Sequence, residues 1–203
     1  MRIDLMGKKH NDQEILNSLH KCDNHRYIVA GGEVIWIGDN GEKVDNPNIT
    51  SISDSAFEYW SGIHRIVIPR GVTRIGNGAF RGCVELTSVE IPPGVTMIGP
   101  HAFYYCKGLT SVTIPDSVTS IGESVFYGCS GLKSITIPEG VVIIKNSAFD
   151  GCFRLESVTI PYSVTIIDRY AFYGCSKLKS VKVPKNCDAD VYAFPPTCKV
   201  ILY

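Results

Sequence analysis

A single interval, 23 residues, governs this chain: Pro69, Pro92, Pro115, Pro138, Pro161 and Pro184 recur at it, as do Phe57, Phe80, Phe103, Phe126, Phe149 and Phe172. Cys83, Cys106, Cys129, Cys152, Cys175 and Cys198 keep the same period. A period held by several residue types in phase marks a solenoid. Each unit is too small to bury its own apolar face, so neighbouring units must stack to make a core.

The unit reads L-x-S-V-x-I-P-x-x-V-T-x-I-G-x-x-A-F-x-G-C-x-x, cleanest from Leu109 to Gly131, with five full units over Ile63 to Lys177. LTSVTIP alternates apolar and hydroxylated side chains, the pattern of a strand with one buried face. Leu109, Val112 and Ile114 therefore point in, and Ser111 and Thr113 point out. The proline that follows has no N–H to give a ladder, so the strand ends there. VTSIG supplies a second short extended piece on Val118 and Ile121, and Gly76, Gly99 and Gly122 suit a turn after it. Lys145 and Asp168 in that glycine column argue against a conformation open to glycine alone. The remaining x-x-A-F-x-G-C is too short for a multi-turn helix and reads as one helical or 3₁₀ turn whose Phe plugs the core. The architecture expected is a right-handed parallel β-solenoid with short helical or 3₁₀ turns and an N-terminal cap.

Solenoid ends need atypical segments. Residues 49–203 read as the array with its C-terminal cap, where Cys187 and the Pro195-Pro196 pair break the pattern. Residues 1–48 read as the N-terminal cap. There RYIVA-GG-EVIWIG predicts a hairpin turning at Gly31-Gly32. Asn11 with Glu14 three residues on predicts a short capped helix through Leu16 and Leu19.

Carried on LxSVxIPxxVTxIGxxAFxGC, in register over five copies, the chain from Ile49 onward resembles the BspA-like branch of the leucine-rich repeat family. The resemblance implies a leucine-rich repeat solenoid that binds or adheres to a protein, host extracellular matrix or cell-surface proteins included, with no catalytic residues. It also implies a cell-surface or secreted location. Residues 1–20 lack the apolar core of a secretory signal, which reads instead as a cytoplasmic protein or one whose signal has been removed.

Composition narrows the function further. Twenty Lys and Arg balance twenty Asp and Glu, leaving no overall field for nucleic acid, and no apolar run is long enough to insert into a membrane. The periodic spacing of the cysteines favours buried thiols over a disulfide ladder, with a Cys187–Cys198 bridge left open. His20, Cys22 and His25 supply only three potential metal ligands, so neither a metal nor a cofactor is expected. P-loop, G-x-S-x-G, H-E-x-x-H and dinucleotide fingerprints are all missing, and an enzyme is not expected.

What remains is surface. The outward strand residues form two columns on a concave sheet face that carries Arg65, Glu90 and Lys182, flanked by Lys133, Glu156 and Lys179. Tyr104, Tyr127 and Tyr173 share a third column, a candidate contact ridge. These nine residues are the candidate partner-binding set. The alternatives are a structural or scaffolding spacer, for which short hydroxylated side chains simply suit a tightly pitched sheet, and an enzyme with its site in the N-terminal cap. Exposed terminal strands leave the oligomeric state open.

Overall fold

The computed structural model describes residues 49–60 and 62–203 in full and, ahead of them, the backbone of five strands. These are β1 (Arg2–Ile3), β2 (Lys9–His10), β3 (His20–Cys22), β4 (His25–Ala30) and β5 (Glu33–Ile37). β4 and β5 pair antiparallel with Ala30 opposite Glu33, and β3 adds antiparallel to β4. The helix expected through Leu16 and Leu19, the Gly31-Gly32 turn itself and the side chains of His20, Cys22 and His25 lie outside the described residues.

From Ile49 the chain forms a parallel β-solenoid. Its strands in order are β6 (Ser51–Ile52), β7 (Arg65–Val67), β8 (Arg74–Ile75), β9 (Ser88–Glu90), β10 (Met97–Ile98), β11 (Ser111–Thr113) and β12 (Ser120–Ile121). There follow β13 (Ser134–Thr136), β14 (Ile143–Ile144), β15 (Ser157–Thr159), β16 (Ile166–Ile167), β17 (Ser180–Val183), β18 (Asp188–Ala189) and β19 (Lys199–Leu202). The odd-numbered strands from β7 stack on one side of the coil and the even-numbered ones on a second. Ser88 lies beside Arg65 and Ser111, one repeat away in each direction, and Ile143 beside Ser120 and Ile166. β5 pairs parallel with β7 through Glu33 and Arg65, so the N-terminal hairpin extends the first side as additional strands.

The alternation read from the sequence is what the fold uses. Val89, Ile135 and Val181 are buried at the strand centres while Glu90, Ser134, Thr136 and Lys182 are exposed. Pro69, Pro92, Pro115, Pro138, Pro161 and Pro184 each end a strand, and the carbonyl of each accepts the amide three residues on, as in Val118 N–H to Pro115 O at 3.0 Å.

The third side differs from expectation. Phe103 N–H donates to Val125 O at 2.9 Å and Tyr105 N–H to Tyr127 O at 2.7 Å, both on the next coil. Between them, Tyr104 N–H donates to His101 O at 3.0 Å and Cys106 N–H to Phe103 O at 3.1 Å, within the same coil. A 3₁₀ turn sends every amide three residues back. Here every second amide goes to the neighbouring coil, and His101 (φ 58°) and Tyr105 (φ 57°) adopt the left-handed conformation that turns those amides outward. The anticipated helical turn is thus a third inter-coil ladder, and no helix occurs among the described residues.

Between the three sides runs an apolar core. Phe57, Phe80, Phe103, Phe126, Phe149, Phe172 and Phe194 form one continuous stack, with successive centroids 5.0 to 5.4 Å apart and rings 3 to 12° from parallel. Cys83, Cys106, Cys129, Cys152 and Cys175 are free, fully buried thiols. Each donates to the carbonyl of the Phe one coil back, at 3.0 Å for Cys83 to Phe57 and 3.2 Å for Cys129 to Phe103. Burial pushes the Cys83 thiol up from 9.0 to about 12, so the donors stay protonated.

Cys198 keeps the count of 23 but not the position. The last coil is shortened: Asp188 pairs with Ile166 at 22 residues and Lys199 with Ser180 at 19, and Phe194 joins the ring stack at 22. Cys198 consequently ends up only partly buried, and both it and Cys187 are free thiols in this structure.

Candidate functional site

The first side presents a ladder of outward side chains whose spacing is fixed by strand pairing. Arg65, Ser88 and Ser111 stand in one row and Val67, Glu90 and Thr113 in the next. Over β7, β9 and β11 all of these except Ser111 line a shallow groove of about 790 Å³ together with Asp116 and Ser117 from the following turn. Arg65 and Glu90, singled out from sequence, therefore share one concavity, beside the exposed Val67. Further along the face, Lys133, Glu156, Lys179 and Lys182 are all exposed. Glu156 Oε1 lies 3.5 Å from Lys177 Nζ with both side chains more than half exposed, a contact that water and salt screen heavily. Lys179 Nζ donates to Ser176 O at 3.3 Å.

The hydroxylated residues divide into two kinds. Thr73, Thr87, Thr96 and Thr110 turn their hydroxyls back to a carbonyl of the preceding coil, as in Thr110 Oγ1 to Thr87 O at 3.1 Å, and so strengthen the stack. Ser111, Ser134, Ser157 and Ser180 lie exposed on the open face.

The tyrosine column becomes two clusters. Tyr104 and Tyr127 stack at 4.9 Å and 10°, and Tyr105 packs on both, at 4.8 and 5.6 Å. Arg81, one repeat before Tyr104, places its guanidinium 5.1 Å from that ring and 5.6 Å from the ring of Tyr59, with Glu58 3.6 Å away. Such stacking attracts the cation to the ring face. Tyr173 belongs elsewhere: it meets Tyr170 edge-on at 5.2 Å, and Arg169 stands over both Tyr170 and Tyr192. Asp150, which holds Gly174 N–H at 2.8 Å, interrupts the column between Tyr127 and Tyr173. Burial, followed by the charges of Asp150 and the neighbouring tyrosines, raises the Tyr127 phenol above its ordinary range and keeps it a neutral donor.

Arg81, Tyr59, Arg169 and Tyr192 were not selected from sequence. For Arg81 the signal was available, since it occupies the same repeat position as Tyr104. Tyr59 and Tyr105 alternate with glycines in their column. Each spreads over the glycine of the next coil, and a Cβ added to Gly82 would come within 2.4 Å of the Tyr59 ring.

Among the described residues no three metal-binding side chains converge, and no helix is long and apolar enough to cross a membrane.

Residues 96–200 match the sequence profile of the BspA type leucine rich repeat region, in 6 copies. Of solved structures, a leucine-rich repeat protein from Bacteroides ovatus is 32% identical with a TM-score of 0.73, covering 88% of this chain and 51% of its own. The T. pallidum leucine rich repeat protein is 27% identical with a TM-score of 0.66, covering 85% of this chain and 88% of its own. A leucine rich cell surface protein from Faecalibacterium prausnitzii is 27% identical with a TM-score of 0.62, covering 84% of this chain and 50% of its own. The chain thus spans about half the length of the first and third of these. Comparison with curated proteins gave no match.

Proposed function

Since the chain belongs to the BspA type leucine rich repeat family, we propose that it is a protein-binding module without catalytic activity, engaging a protein partner through the exposed side of β7 to β19 and the Arg81–Tyr104–Tyr127 ridge. Repeat families of this kind serve broadly as protein-interaction or surface modules. The finer reading, adhesion to a host matrix or cell-surface protein, draws support from the F. prausnitzii cell surface protein of similar fold.

One observation carries the proposal. Core positions are nearly invariant from coil to coil, whereas the outward position that holds Thr113, Thr136 and Thr159 in the middle of the array holds Val67, Glu90 and Lys182 towards its ends. Those sites lie outside the buried core, so their variety is available to recognition. The rings and guanidinium of the ridge offer large, pre-ordered contact area of the kind that dominates interfaces. The uniform Ser88, Ser111, Ser134, Ser157 and Ser180 column favours a second reading, a rigid spacer in a larger assembly.

The test is capture from host extracellular matrix and from the source cell's own extract, with the chain as bait. The controls are a Glu90→Lys, Lys133→Glu variant and an Arg81→Ala, Tyr104→Ala variant of confirmed fold. Selective capture of one protein, lost with either variant, is the expected result. Capture that neither variant alters would sink the reading and leave the spacer.

A further inference from the structure

The chain is neutral overall, yet its charge is unevenly placed. Lys179 precedes β17, Lys182 lies at its centre, Lys185 follows its end and Lys199 opens β19 beside Ser180. All four are exposed, and none pairs with a carboxylate among the described residues; the nearest ion pair, Glu156 with Lys177, uses a different lysine. Side chains two apart on a strand share a face, and neighbouring strands lie about 4.8 Å apart, so Lys182 and Lys199 sit on one face at adjacent, diagonal positions. The coils before them show the contrast. Over β9 and β11 the same face and its turn carry Glu90 and Asp116.

The lysines surround apolar and aromatic surface. Ile201 stands outward beside Lys182 and is 38% exposed, and Tyr162, 63% exposed, packs its ring 4.5 Å from that of Tyr203 at the edge of the patch. Unpaired ammonium groups around exposed apolar surface complement carboxylates interspersed with apolar side chains.

We infer that the face of β17 and β19 is a docking surface for an extended acidic segment of a protein partner, recognised by Lys179, Lys182, Lys185 and Lys199 around Ile201 and the Tyr162–Tyr203 pair. This deepens the protein-binding reading and rests on it. A second copy of the chain is disfavoured as occupant, because pairing this face with itself would set lysine against lysine. A sulfated glycan or a nucleic acid would use the charges but leave the apolar surface idle. Lysine also suits this task, since its point charge on a flexible stem follows an extended chain without demanding the fork geometry of arginine.

The test is fluorescence anisotropy on the intact chain with a labelled twelve-residue peptide alternating glutamate and valine, against the same peptide with lysine for glutamate. Heparin and a single-stranded oligonucleotide serve as competitors. The acidic peptide binds and the basic one does not. Lys182→Glu with Lys199→Glu weakens binding about tenfold or more, Lys145→Glu, exposed on the second side of the coil, leaves it unchanged, and about 0.5 M salt largely abolishes it by screening. Equal binding by the double variant, no binding at all, or displacement by heparin or oligonucleotide at far lower concentration than by unlabelled peptide would overturn the assignment. So would concentration-dependent self-association that the double variant abolishes. A partner captured through the Glu90 or Arg81 surface but indifferent to the lysine variant would end this inference while leaving the protein-binding function intact.

Discussion

The phenolic hydroxyl of Tyr203 donates a 2.7 Å hydrogen bond to the main-chain carbonyl of Ile160, 43 residues earlier and two coils back. Its ring leans on Tyr162, and its amide bonds to Val183 O at 3.1 Å. Tyr203 thus clips β19 to the two preceding coils, at an end where Val200 and Leu202 remain 43% and 59% exposed. Tyr203→Phe keeps the ring and removes the donor, at a cost of about 1 kcal/mol. The loss should fall on the last coil, seen as faster amide exchange in β19 with β9 and β11 unchanged. Uniform loosening of all coils would contradict the clip.

Phe126 stands mid-stack, 5.4 Å from Phe103 and 5.3 Å from Phe149, with no exposed surface. Phe126→Ala opens a cavity that two coils cannot close without losing their own register, and should cost about 3–5 kcal/mol. Chemical denaturation is the measurement. Because each unit is stabilised by its neighbours, a transition splitting into two steps is expected, with the halves on either side of Phe126 melting apart. Phe194→Ala, at the end of the stack, should cost less.

At Gly82 two constraints coincide. Its φ of +71° disfavours any side chain, and the Tyr59 ring occupies the space where a Cβ would lie. Gly82→Ala should destabilise by about 1–2 kcal/mol from backbone strain, plus whatever displacing Tyr59 costs. Combining it with Tyr59→Ala should recover the second part but not the first. Complete recovery, read from the shift in melting temperature, would show that crowding alone required the glycine.

The buried thiols set an alkaline limit. Folding raises the Cys83 thiol from 9.0 to about 12 and raises those of Cys106, Cys129, Cys152 and Cys175, in each case with burial as a cause. A group whose folded value is raised contributes fully below its unfolded value, and the contribution fades as pH rises from about 9 through the folded value. Stability should therefore be level up to about pH 9 and fall between 9 and 12. Replacing Cys106, Cys129 and Cys152 by Ala should lower stability at neutral pH and flatten that fall. An unchanged slope would place the alkaline sensitivity elsewhere.

Period and alternation made the core legible in advance. Pro, Phe and Cys columns marked the coils, and the apolar positions of LTSVTIP and VTSIG are those the fold buries, wholly at most coils and partly at Val112 and Val158, because a stack gives each repeat position nearly one environment. The turn segment was misread for a reason outside any single unit. Whether Phe103 or Tyr105 directs its amide three residues back or across to Val125 or Tyr127 depends on the coil beside it, and the left-handed His101 and Tyr105 that permit the second choice leave no mark in hydrophobic pattern. The column of Cys198 failed similarly: counting gives 23, but the shortened final coil shifts the register by pairing Asp188 with Ile166 and Lys199 with Ser180.

The surface divides the same way. Sequence determined which residues face out, since a strand with one buried side leaves the other no alternative, and so Arg65, Glu90, Lys133, Glu156, Lys179 and Lys182 were all found exposed. Tertiary structure decided which of them meet. It put Arg65 and Glu90 in one groove, drew Arg81 between Tyr59 and Tyr104, parted Tyr173 from Tyr127, and brought Lys199 beside Ser180 to complete a basic patch. Burial follows from the local pattern of one chain segment, whereas neighbourhood follows from inter-coil hydrogen bonds, and those belong to no segment alone.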